Sequence, residues 1–357
     1  MTGARPAAPR GPAGPPHQQD RRKENAVSTA SGTPVPTLTA SGGRLGRLRR
    51  VEPSTYIVYV GFVLIFLVMS IALHGDGFLT GQNLLNILLQ TAPVTVMAVG
   101  TVFVLSTGEI DLSIGAVVAL SALVAAVELR DHGLVAGIVA GLLTGVLVGL
   151  VNGLLVTKLR LPSFLVTLGM MGLCAGLSQR VTQLQAVPST DVLFNGLFGS
   201  GSIAGVSTLI VWAAVFVLGG HFVYRHTRIG AHVLASGDNV RAARVSGIKV
   251  DRIKTGVLVA SGLCASLAGL LYTGRLHGAS YTLGSSDLLT VIAAVVIGGT
   301  RLFGGQGTVV GAFVGSLILG MLNNGLILAG LSDPEQQIVR GLIILVAVAL
   351  TLREDKN

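Results

Sequence analysis

Along residues 53–352, long apolar runs alternate with short polar stretches. A membrane-spanning helix needs about 20 mostly apolar residues. Ten stretches approach that length: 56–73, 84–106, 111–129, 133–157, 162–179, 203–224, 254–274, 287–300, 307–330 and 337–352. The pattern predicts an all-α polytopic membrane protein of about ten transmembrane helices. The short, glycine-broken run 287–300 reads as a half-helix or re-entrant segment. Irregular backbone is tolerated at that depth only where protein or a water-filled cavity surrounds it. The run from Tyr56 to Leu73 is longer than the 7–15-residue (roughly) apolar centre of a cleaved signal, so it reads as a retained first helix.

Lys and Arg in the connections set the orientation. Placing the N-terminal tail in the cytoplasm also places Lys158, Arg160, the loop 225–254, Arg301 and the stretch from Arg353 to Lys356 there. The nearly neutral loops 74–83, 180–202 and 331–336 then fall outside. One assignment satisfies every basic cluster, with an even number of spans and both termini cytoplasmic.

In the fourth run, glycine recurs every fourth residue at Gly133, Gly137, Gly141, Gly145, Gly149 and Gly153. A four-residue step overshoots one helical turn by about 40°, so the row forms a slowly winding groove in which a second helix can approach the backbone. Gly307, Gly311 and Gly315 repeat the device.

Composition agrees with a membrane domain. Hydrophobic residues make up 51% and charged residues 11%, against roughly 25% charged in a soluble domain. The net charge of +9 is no nucleic-acid signature, because residues 1–50 hold nine Arg or Lys and two acids, and so carry +7 of it. That Pro-, Gly-, Ser- and Arg-rich stretch has too little apolar surface to fold. The chain therefore divides into a disordered basic tail, 1–52, and a transmembrane domain, 53–357, in the lipid of a cell membrane.

Chemistry-bearing residues are sparse. Ionised groups inside a membrane are costly enough to flag function, which draws attention to Glu109 and Asp111 in STGEIDLSIG, from Ser106 to Gly115. They are two positions apart, about 200° around a helix, and so are not a paired acid–base site on one face. Asp111 reads as an N-cap for the next helix, and Glu109 as a residue to test for transport. Asn152, Ser163, Thr167, Asn323 and Asn324 offer hydrogen bonds either to a polar cargo or between helices. Pro93 and Pro162 read as kinks or helix starts. Cys174 and Cys264 lie in apolar runs and read as packing residues. The chain has no G-x-x-x-x-G-K-[ST] phosphate loop, and no H-E-x-x-H or G-x-S-x-G. It is therefore not an ATPase, and the commonest hydrolase signatures are missing. No residue set points to a metal ion or a cofactor.

The longest cytoplasmic connection, Tyr224 to Lys254, holds seven Arg or Lys against two acids. Its centre, Asn239 to Ser246, fits a short helix ended by Gly247. Here the chain resembles the permeases of ribose- and xylose-type monosaccharide ABC importers. The match is to G-x-N-x-x-A-A-x-x-S-G-I, carried by Gly237, Asn239, Ala242, Ala243, Ser246, Gly247 and Ile248. GEIDLSIG, LPSFLVTLG (Leu161 to Gly169), VIGGTRLFGGQGTVVGA (Val296 to Ala312) and NNGLILAGL (Asn323 to Leu331) extend the resemblance. It implies that the short helix docks in a cleft of a separate ATPase subunit, and that an extracytoplasmic sugar-binding protein delivers a monosaccharide to a homodimer. Where many members have Y-E-L-D-A-I-A-A, this chain has DLLTVIAA, with Leu288 and Thr290 in place of two acids. A secondary transporter driven by protons or sodium is the alternative that buried acids would serve.

Overall fold

Ten helices coincide with the ten apolar runs. The computed structural model describes residues 53–354, and the tail expected over 1–52 lies outside them. The first five runs become α1 (Pro53–Ala72), α2 (Gly81–Ser106), α3 (Ile114–His132), α4 (Leu134–Lys158) and α5 (Ser163–Thr182). A polar excursion follows. It comprises β1 (Val187–Pro188), α6 (Val192–Asn195) with a π-helical turn (Gly196–Ser200), and a hairpin of β2 (Ser202–Ile203) and β3 (Val206–Ser207). Next come α7 (Thr208–His226), α8 (Arg228–Asp238), α9 (Val240–Val245) and α10 (Val250–Leu276). The chain then forms β4 (Gly278–Ala279), antiparallel to β1, and closes with α11 (Asp287–Ile297), α12 (Val309–Leu328) and α13 (Asp333–Glu354).

Among the described residues six helices, α2, α4, α5, α7, α10 and α12, are long and apolar enough to cross a membrane by length and composition. At 11 residues, α11 is a half-length helix, as the broken run 287–300 foreshadows. Helix starts follow local chemistry. The Thr80 hydroxyl accepts the Asn83 N–H at 3.3 Å at the head of α2, and Thr308 accepts the Gly311 N–H at 3.2 Å at the head of α12. Pro162 stands at the N-cap of α5, whereas Pro93 lies inside α2. Two starts fall three or more residues later than the hydropathy pattern places them: α3 at Ile114 instead of 111, and α7 at Thr208 instead of 203.

Of these six helices α2 and α10 are the most buried, with 78% and 67% of their apolar windows inside the protein, against 22% for α4 and for α7. Leucines and valines such as Leu147, Leu168 and Leu218 cover the outside, where hydrocarbon is the favoured neighbour. The glycine row of α4 is the seam against α3 and α10. A β-carbon at Gly137 would lie 2.8 Å from Leu129 Cβ, one at Gly149 2.8 Å from Val259 Cα, and Gly145 faces the carbonyl of Gly262 directly. Gly133 is the exception: it turns the corner between α3 and α4 with open space around it. Gly311 and Gly315 seat α12 against Gly298 and Ala294, while Gly307 abuts the hydroxyls of Ser106 and Tyr224.

Two non-helical links join helices of this bundle. Residues 107–113 join α2 to α3, and 277–286 join α10 to α11. The second link touches the first turn of α3, where a β-carbon on Gly115 would lie 2.6 Å from the Gly284 carbonyl oxygen.

Candidate functional site

The link 107–113 carries the acids, and its polar groups are paired within the protein. The Asp111 carboxylate is buried. Its Oδ1 accepts the Ser113 N–H at 2.9 Å and the Ser113 hydroxyl at 2.6 Å, and its Oδ2 accepts the Ser261 hydroxyl at 2.8 Å. The residue in the N-cap position of α3 is Ser113, so Asp111 serves the turn ahead of the helix. Asn152 donates to Ser113 Oγ at 3.0 Å, and its Oδ1 is buried without a partner. Ser163 Oγ accepts the Ile110 N–H at 3.1 Å, and Thr167 donates to the Ile110 carbonyl at 3.1 Å. Glu109 is ion-paired with Lys254 of α10.

Asn152, Ser163, Thr167 and Glu109 therefore converge on one non-helical segment and hold it. Asn324 instead exchanges two hydrogen bonds with Asn83, at 3.0 and 2.9 Å, joining α12 to α2.

The stretch from Gly237 to Ile248 folds as its residue types require. Asn239 caps α9, accepting the N–H groups of Arg241 and Ala242 at 3.0 Å. At the other end Gly247, at φ +82°, takes a left-handed turn that an L side chain resists. Its N–H donates to the Arg244 carbonyl and that of Ile248 to the Ala243 carbonyl, both at 3.0 Å, the glycine stop that closes many helices. Ala242 and Ser246 face outward, but Ala243 is buried against the protein. The most exposed apolar side chain of α9 is Val245, at 90%. The repeated-residue pattern did not single it out, because an isolated valine carries no motif.

Behind α9, the end of α8 is wedged into the bundle. Gly237 packs against the Ser106 carbonyl so closely that a β-carbon would overlap it. That same carbonyl accepts the Gly305 N–H at 3.1 Å, while the Ser106 hydroxyl bonds Tyr224 Oη at 2.7 Å. Ser106 thus joins α2, α7, α8 and the glycine-rich loop 298–308. Beside it a polar cavity of about 410 Å³ is bounded by Glu109, Arg160, Arg244, Asp251 and Lys254, with Arg244 on Asp251 at 2.9 Å.

A second cavity, of about 330 Å³, lies between α2, α10, α11, α12 and α13 toward the opposite end. Asn323 lines it, with its Oδ1 buried and unpartnered. Gln90, Tyr272, Arg275, Asp287, Thr290 and Arg340 share the lining. Tyr272 Oη donates to Asp287 Oδ2 at 2.7 Å. Of the two positions that depart from the resemblance, Thr290 faces this cavity and Leu288 packs on the core. A carboxylate is nonetheless present one turn earlier, at Asp287. Arg275 and Asp287 stand at helix ends, so in the sequence they look like loop charges.

Comparison with known proteins converges on one class. Residues 83–348 match the family described as branched-chain amino acid transport system / permease component. The chain is 42% identical over 291 residues to the ribose import permease protein RbsC of Escherichia coli strain K12, covering 80% of this chain and 90% of that protein. It is 41% identical over 295 residues to the ribose import permease protein RbsC of Bacillus subtilis strain 168, covering 82% and 91%. It is 38% identical over 293 residues to the L-arabinose ABC transporter permease protein AraH of Azospirillum brasilense, covering 81% and 86%.

Proposed function

Because the chain belongs to the branched-chain amino acid transport system permease family, and is a membrane transport component and not an enzyme, we propose that it is the membrane-spanning subunit of an ATP-driven monosaccharide importer. A pentose such as ribose, arabinose or xylose is the favoured cargo, since the relatives named above are ribose and L-arabinose permeases. The working unit is a homodimer that binds two ATPase domains on the cytoplasmic side and a sugar-binding protein outside. Ten spans with both termini cytoplasmic fit the distribution of Lys and Arg.

The observation that carries this reading is the capped, protruding α9 backed by the Ser106 joint. Closure of the ATPase around α9 moves α8, and Gly237 passes the movement through the Ser106 carbonyl to α2 and to loop 298–308. Gly237, Asn239, Ala242, Ala243, Ser246, Gly247 and Ile248 form this device. Within it Asn239 and Gly247 set the helix ends, Ala243 seats the helix on the protein, and the outward residues meet the ATPase. The acids on the link favour a coupled permease over a gradient-driven one: Glu109 is held by Lys254, and Asp111 by Ser113 and Ser261. Glu109, Asn152, Ser163 and Thr167 keep the link in register beside the pathway.

The test is uptake of D-ribose, L-arabinose and D-xylose into proteoliposomes holding the permease with its ATPase and binding protein. Uptake is expected only with ATP and both partners. Uptake by this chain alone on a pH gradient would overturn the reading.

A further inference from the structure

We propose that the cavity between α2, α10, α11, α12 and α13 is a sugar station inside the permease, where a monosaccharide is held through its hydroxyls between delivery and release. The proposal rests on the importer reading above and names the residues with which this chain itself reads its cargo.

Size and place come first. At about 330 Å³ the cavity is at the small end of ligand pockets, which run from roughly 300 to 1,000 Å³. Arg275 is next to last in α10, Asp287 is first in α11, and Asn323 lies in the last third of α12. The cavity thus sits in the half of the bundle away from Gly237, on the side that faces the binding protein in the proposed topology.

The polar inventory points to a ligand. Asn323 Oδ1 and Arg340 Nε are buried with no hydrogen-bond partner, and Arg340 spends only one Nη2 contact, on Gln336 at 3.3 Å. No ion pair or hydrogen bond to the Arg275 side chain occurs among the described residues, and Tyr272 occupies only Oδ2 of Asp287. Leaving buried polar atoms unpaired costs about 1–3 kcal/mol each, so their convergence on one cavity marks a place that a polar guest completes. The complement is that of a polyol. A carboxylate oxygen accepts from a hydroxyl, guanidinium forks donate to neighbouring hydroxyl oxygens, and an amide oxygen accepts another proton. Val94 and Leu319 supply an apolar wall for the C–H face of a sugar ring. Structural ion pairs would instead satisfy one another, as Glu109 and Lys254 do.

The experiment uses the complete transporter in proteoliposomes, with saturating binding protein loaded with D-ribose, L-arabinose or D-xylose. Asp287→Asn and Arg275→Gln are expected to lower maximal ATP-driven uptake about tenfold, the worth of one charge-assisted hydrogen bond. Thr290→Val and Asn323→Leu are expected to shift the ratio of uptake rates between the pentoses about threefold. A purely structural defect lowers all three sugars together and leaves that ratio unmoved, so the ratio decides even where a charge variant fails to assemble. Wild-type uptake and an unchanged ratio in assembled variants would overturn the station and leave the importer reading standing. Failure of the wild-type transporter to carry any of the three sugars would remove the pentose-importer reading, and the station as a pentose site with it.

Discussion

Lys254 and Glu109, 145 positions apart, form an ion pair that ties the link 107–113 to the second turn of α10. Their side chains are only 19% and 10% exposed. Removing one partner of such a pair strands a charge, at roughly 3–5 kcal/mol when burial is complete and less here because the stranded Glu109 keeps some contact with solvent. Lys254→Met is therefore expected to lower the melting temperature in detergent more than the double variant Glu109→Gln, Lys254→Met. A double-mutant cycle measures the coupling, and equal losses in both proteins would refute the role given to the pair.

Gly145 and Gly262 set the closest approach of α4 to α10. A methyl group at Gly145 has no free volume, and overpacking costs about 1–3 kcal/mol. Gly145→Ala should thus lower the thermal midpoint, whereas Gly219→Ala, where a β-carbon meets nothing within 4 Å, should leave it within about 0.5 kcal/mol of wild type. Parallel melts of the two variants check the contrast.

Val245 stands 90% exposed at the tip of α9. Exposed apolar side chains at the centre of a docking surface carry much of the binding energy, so Val245→Asp is expected to weaken ATPase association and ATP-driven uptake by about tenfold or more without changing the melting temperature. Co-purification with the ATPase subunit, set beside the melt, separates docking from folding. Ala243 behaves differently. It is buried, so Ala243→Leu should cost stability as well as coupling.

A further expectation concerns α5. Gly169, Gly172 and Gly176 have open space at their β-carbon positions, and Leu168 and Leu173 flank them exposed. Small residues let membrane helices approach closely, so this face is expected to receive the second copy of the proposed homodimer. Gly172→Trp is expected to shift the protein from dimer to monomer in native mass measurement while the monomer keeps its fold. A dimer of unchanged stability would move the interface elsewhere.

Much of this architecture is legible along the chain because hydropathy is a local signal. The apolar runs foreshadow the long helices, the break in 287–300 foreshadows the half-length α11, and Asn239 and Gly247 bracket α9 within one residue. What stays hidden depends on tertiary contact. Nothing local says that Glu109 meets Lys254, or that Asn152, Ser163 and Thr167 converge on one link. The second cavity is the harder case: Tyr272, Asp287 and Arg340 come from three helices, and of its polar residues Asn323 draws attention in the sequence as a group that could meet a polar cargo. Hydropathy also places the start of α3 three residues early, because Asp111 and Leu112 fit a helix start while the hydrogen bonds between Asp111 and Ser113 hold a turn ahead of the helix.

The Ser106 joint has a consequence for how such a protein can be broken. Its linkage to Gly237 and Gly305 is made by main-chain atoms, which no replacement of the serine side chain deletes. Ser106→Ala removes the tether to Tyr224 and leaves the hinge itself intact. The fragility lies in the opposite direction, where one added methyl at Gly237 would lever α8 away from α2. Defects in transmission should therefore arise from gains of bulk at glycines and seldom from losses of functional groups, and a genetic screen for uncoupled transporters should return them in that form.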